Sequence, residues 1–151
     1  MTKKMKPPTI RMDNVGIVVR DLDAPIAFFE ELGLVLEGRM IVEGDWVDQT
    51  VGLRGVRSEI AMMRTPDGLG GVELAMYHAP AAITAFTNPP ANTLGLHRIM
   101  FAVEDIDDTI ARLRKHGAEL LDQVAQYEDI YRLCYLRGPE GIIVALAEKL
   151  K

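Results

Sequence analysis

Residues 14–23, NVGIVVRDLD, and residues 98–107, RIMFAVEDID, follow one pattern, a polar residue, an alternating apolar segment and an acidic turn, 84 positions apart. The same spacing links Gly33 in EELGLVL to Gly117 in RKHGAEL. Each copy also closes alike: Pro66-Asp67-Gly68 precedes VELA at 72–75, and Pro139-Glu140-Gly141 precedes VALA at 144–147. Self-similarity on this scale marks a duplicated supersecondary unit, and units this small cannot bury their apolar faces alone. The expectation is one domain over residues 1–151, with module one at about 10–78, a linker at 79–95 and module two at 96–148.

Within module one, alternation puts Val15, Ile17 and Val19 on one face of a strand, opposite Asn14, Gly16 and Val18. Asp21 or Asp23 is placed to cap a helix carrying the stripe Ile26, Phe29 and Leu32, with Gly33 as its left-handed stop. Strands are expected at Leu34–Val42, Val56–Arg64 and Val72–Tyr77, with Trp46–Leu53 as a loop or short helix. Module two repeats the order: strand Leu96–Val103, a helix through Ile106, Ile110 and Leu113, then strands near Glu119–Val124, Tyr131–Arg137 and Ile142–Ala147. The linker holds Pro80 and Asn88-Pro89-Pro90, with room for one helical turn near Ile83–Phe86. Each module therefore reads β-α-β-β-β.

A net charge of −5 argues against nucleic-acid and anionic-membrane partners, because no surplus of cations would neutralise phosphate. The lone Cys134 has no internal disulfide partner, and the Lys3-Lys4-Met5-Lys6 start lacks the apolar core of a signal peptide. The run Ile142–Ala147 is too short to span a bilayer. The expectation is a cytoplasmic protein with a small-molecule partner.

Two β-α-β-β-β units with these turns resemble the vicinal oxygen chelate superfamily: glyoxalase I, extradiol dioxygenases, methylmalonyl-CoA epimerase, and fosfomycin and bleomycin resistance proteins. The resemblance runs from about Met12 to Glu148. It implies an α+β fold of two tandem modules, an eight-stranded cup-shaped sheet with helices outside and a ligand inside, commonly as a homodimer. It does not fix the reaction, because one scaffold hosts many chemistries.

Metal-using members place one ligand on the first strand and one on the last strand of each module. Carried over, those positions are Asn14, Glu73, Arg98 and Ala145. Glu73 is the one strong ligand; Asn14 can lend a carbonyl oxygen, Arg98 has donors only and a permanent charge, and Ala145 has nothing to coordinate with. A divalent metal needs several converging ligands, so no metal cofactor is expected. His97 shares strand parity with Ile99, Phe101 and Val103 and is read as packing under the helices. A one-residue bulge would turn it inward and reopen a divalent metal site.

Two readings of Arg98 stay open. It forms an ion pair with Glu73 that closes the site, or it binds an anionic or carbonyl oxygen of a ligand that Glu73 orients or deprotonates. Tyr135 stands where ring-cleaving relatives carry an active-site tyrosine, and its parity groups it with Tyr131, Leu133 and Arg137 on the cup side. Glu73 and Tyr135 are thus the candidate catalytic residues. Asn14, Arg98, Trp46, Met100, Tyr131 and Arg137 are the candidate ligand-binding ones. The function classes are a binder of a small anionic or aromatic molecule and a lyase or isomerase of the glyoxalase type acting on a small carbonyl compound.

Overall fold

The computed structural model describes residues 11–84 and 87–150, and in it each copy of the repeat forms its own sheet backed by its own helix. Module one runs β1 (Val15–Val18), α1 (Asp23–Leu32), β2 (Val35–Glu43), α2 (Asp45–Val51), β3 (Arg57–Arg64) and β4 (Gly71–Ala79). Module two runs β5 (Arg98–Ala102), α3 (Ile106–Arg114), β6 (Glu119–Leu120), β7 (Ala125–Tyr127), β8 (Tyr131–Arg137) and β9 (Ile143–Lys149), with a 3-10 turn at Pro139–Gly141. The tail Met1–Pro8 and part of the turn expected at Ile83–Phe86 lie outside the described residues.

The strand order is β1-β4-β3-β2 in one sheet and β5-β9-β8-β6 in the other, with β7 also on β8. First and last strands of each module pair in parallel, which demands a crossover, and the intervening helix and two strands supply it. Among the described residues nine strands stand where eight were expected, because the strand expected near Glu119–Val124 stops at Leu120 as β6 and a separate β7 forms just beyond it. The break falls beside Tyr135, and β2 has its own register shift between Leu36 and Gly38, next to Met62. Both outer strands are thus irregular at related rows, where a bulge bends a strand away from its neighbour.

The helix boundaries have local causes. The Asp21 carboxylate accepts the backbone N–H of Asp23 and Ala24 at the head of α1, and Asp105 accepts that of Asp108 at the head of α3. Gly33 stops α1 at φ +121°, a conformation that favours glycine. The faces beneath the helices merge into one core, in which Phe29, Ile106, Leu113, Leu74 and Leu146 are buried. Phe29 of α1 reaches Phe101 of β5, ring centroids 6.4 Å apart, so the core crosses the module boundary. Arg112 of α3 donates to the Glu31 carbonyl of α1, and the Glu140 carboxylate accepts the Arg20 backbone N–H at 2.9 Å. The modules are joined by packing and by polar contacts.

α2, which the sequence left as loop or helix, packs on the other face of module one. Its Val47 buries against Val42, Val56, Ile60 and Tyr77. The seat is tied by Asp48, whose carboxylate accepts the N–H groups of Gly55 and Val56, each at 2.9 Å. Those bonds hold its pKa below the ordinary aspartate value. Trp46 rides on this helix and is 61% exposed.

Candidate ligand-binding site

Strand parity decides which side chains face away from α1 and α3. Val72, Leu74 and Met76 of β4 pack into the core, so Glu73, Ala75 and Tyr77 take the opposite, cup-side face. Glu73 lies opposite Gly16 of β1 and Met62 of β3, and Gly38 of β2 ends the row. A Cβ at Gly16 or Gly38 would meet no atom within 4 Å, which leaves open space on both flanks of the Glu73 row. Among the described residues Glu73 makes no ion pair.

In module two the same face carries Arg98 and Met100 of β5, Ala145 of β9 and Tyr135 of β8, since Ile99, Phe101, Leu136 and Leu146 pack inward. Ala145 is flanked by Met100 on one side and Tyr135 on the other. Arg98 spans β9 to reach Tyr135: its Nη1 donates to the phenol oxygen, and its Cζ lies 5.4 Å from the ring centroid. Such a crossing is open because position 145 carries only a methyl group. A cation held both by a hydroxyl and by an aromatic face has a preferred direction and retains further N–H donors.

The ion pair considered between Arg98 and Glu73 does not form. Arg98 leans onto β8, away from module one, and β1 and the seam between the sheets separate the two residues. The other sequence-predicted residues divide. Met100 is 46% exposed on the same face, and Tyr131 stands further along β8 with the same parity. Arg137 is turned to the module end, where its Nη1 donates to the Gly141 carbonyl at 2.9 Å. Asn14 gives its amide to Asp13 at 2.7 Å, and that bond, with those from Arg64, holds the Asp13 carboxyl below its usual range. Trp46 stands apart on α2.

His97 lies just before β5, with one ring nitrogen 2.9 Å from the Leu94 carbonyl. The β5–β9 ladder begins only at Arg98 opposite Ile143, and His97 contributes to the lining of the seam between β1 and β5 instead of packing under the helices as expected. The four positions that the resemblance implies for a metal, Asn14, Glu73, Arg98 and Ala145, offer one carboxylate, one amide, one guanidinium and one methyl group. Among the described residues no group of three or more His, Cys, Asp or Glu side chains converges. This donor set does not fit a divalent cation.

A hollow of ≈ 310 Å³ runs along the seam between β1 and β5. Gly16, Val18, Leu96, Ile99 and Ile143 make its lining largely apolar, and Arg98, His97 and Glu140 are its polar members. Glu73 lies one strand away beyond Gly16, and Tyr135 lies beyond β9 on the opposite side. Sequence reasoning missed Gly16 and Gly38. The available signal was glycine inside a strand, which marks a place where something else approaches the backbone.

Comparison with known proteins agrees with the architecture. Residues 13–135 match the family described as the glyoxalase/bleomycin resistance protein/dioxygenase superfamily. A glyoxalase family protein from Bacillus cereus superimposes with a TM-score of 0.93 at 53% identity, covering 99% of this chain and 100% of that one. The uncharacterised protein YwbC of Bacillus subtilis is 28% identical over 133 residues, covering 87% of this chain and 91% of its own. A glyoxalase I variant from Zea mays shares the fold at a TM-score of 0.64 and 18% identity, with 90% of this chain matching 45% of that one. The chain belongs to the glyoxalase/bleomycin resistance protein/dioxygenase superfamily.

Proposed function

We propose that the protein binds a small anionic or aromatic molecule on the cup-side face, with Arg98 in place of the metal that many relatives use. The observation that carries this is the orientation of Arg98, stacked on Tyr135 over a methyl-bearing Ala145 with no carboxylate partner among the described residues. A guanidinium held in this way presents paired donors to a carboxylate or carbonyl oxygen, and the apolar seam beside it suits a hydrophobic body. Met100 and Tyr131 extend the wall on one side. We carry the homodimer as part of the proposal, to be checked by light scattering. No helix among the described residues is long and apolar enough to cross a membrane.

The test is thermal-shift screening of aromatic carboxylates, phenylacetate among them, against the native protein and Arg98→Met. The expected result is stabilisation of the native protein only. An equal response from the variant would overturn the assignment.

A second reading, a lyase or isomerase of the glyoxalase type, is favoured by one observation: Glu73 has open space beside it and, among the described residues, no ion-pair partner to restrain it. It would act as the base on a small carbonyl substrate while Arg98 and Tyr135 hold the oxygen that gains charge. Turnover of a hemithioacetal, abolished by Glu73→Gln, would support it.

A further inference from the structure

We infer that the ligand is dipolar: an anionic group for Arg98, a cationic or strongly donating group for Glu73, and an apolar spacer between them. The inference rests on the proposed binding role of Arg98 and names the class of molecule.

Three features converge on it. Glu73 and Arg98 carry opposite charges on the same side of the two sheets, yet do not pair. They stand apart because Arg98 leans onto Tyr135, and β1 and then the seam lie between Glu73 and Arg98. With strands spaced about 4.8 Å apart, and a seam that no ladder bonds close, their backbones stand about 10 Å or more apart. Between them runs the hollow of ≈ 310 Å³, largely apolar through Gly16, Val18, Leu96 and Ile143, with Arg98, His97 and Glu140 also in its lining and Glu73 one strand beyond Gly16. Lastly, Gly16 leaves the side of Glu73 facing the seam bare, since a Cβ there would touch nothing within 4 Å.

A plain carboxylate would satisfy Arg98 but leave Glu73 without a counter-charge on a partly desolvated surface, and would repel it. A plain amine would do the reverse. One molecule bearing both charges at its two ends satisfies both, and its middle displaces water from the seam. The separation excludes α-amino acids, whose charges are too close, and favours a rigid or extended body several bonds long.

The experiment uses three matched probes on the full chain: 4-(aminomethyl)phenylacetate, 4-methylphenylacetate and 4-methylbenzylamine, titrated calorimetrically at neutral pH. The dipolar probe is expected to bind at least about tenfold tighter than either single-charge analogue, one satisfied ionic contact being worth that much. Glu73→Gln should remove its advantage over the acid, and Arg98→Met its advantage over the amine. Gly16→Ala, a change made in open space, is a third variant should either charge change disturb folding; it should weaken the dipolar probe selectively. If the acid binds through Arg98 as tightly as the dipolar probe, the dipolar class is refuted and the binding role of Arg98 stands. If no probe binds in an Arg98-dependent way, both are overturned.

Discussion

The partner of Arg98 can be measured by two double-mutant cycles run in parallel. The first combines Arg98→Met with Tyr135→Leu. The guanidinium lies 5.4 Å from the Tyr135 ring centroid, and an exposed cation–π contact contributes about 0.5–1 kcal/mol. The accompanying N–H···O bond adds about 0.5–1.5 kcal/mol net, the lower end applying here because Arg98 is solvent-exposed. The coupling energy should therefore be about 1 kcal/mol. The second cycle combines Arg98→Met with Glu73→Gln, two residues on opposite sides of the seam, and should be additive to within about 0.3–0.5 kcal/mol. Urea unfolding followed by circular dichroism reads both cycles, with constant slopes required for the comparison. A buried Arg98–Glu73 pair would behave otherwise, with single losses of about 3–5 kcal/mol and a rescued double variant. Strong coupling to Glu73 with none to Tyr135 would refute the geometry.

Further expectations follow from other contacts. Phe29→Ala empties a fully buried site shared with Phe101 and should cost about 3–5 kcal/mol; because the core is common to both modules, urea should still give one transition. In Gly138→Ala the new Cβ would stand 2.8 Å from Val144 Cγ2, an overpacking expected to cost about 1–3 kcal/mol in the same assay. The Asp48 carboxyl is held below its ordinary value of 3.8 by the Val56 and Gly55 N–H groups, and the Asp107 carboxyl by Arg132. A depressed folded pKa stabilises fully above the ordinary value and is lost as pH falls through the folded one, so urea midpoints should drop below about pH 4. Asp48→Asn should flatten that drop; an unchanged profile would remove Asp48 from the explanation.

The fold was legible because the duplication is written in residues with strong local effects. Asp21 and Asp105 cap the helices, Gly33 stops the first, and alternation set the face of nearly every strand. The parity that placed Tyr135 with Leu133 follows from the period-two pleat and needs no tertiary information, whereas His97, read by the same parity, precedes β5 and lines the seam. What was illegible depends on where side chains reach. Nothing in the sequence says that Arg98 turns across Ala145 to Tyr135 rather than across the seam to Glu73, because a flexible side chain can do either. Arg132 makes a bidentate pair with Asp107 at 2.7 and 3.0 Å, a contact between α3 and β8 that only the packing creates. The break between β6 and β7 was equally hidden, since residues 119–124 carry enough apolar side chains for a continuous strand.

The central claim is that the cup is organised by the Arg98 guanidinium and holds no divalent metal at Asn14, Glu73, Arg98 and Ala145. The most direct measurement is elemental mass spectrometry of untagged protein after dialysis against nickel, zinc, iron and manganese, with Glu73→Gln alongside. The expected result is far less than one ion per chain, equal in the native protein and the variant. About one tightly held ion per chain, lost in Glu73→Gln, would contradict the claim.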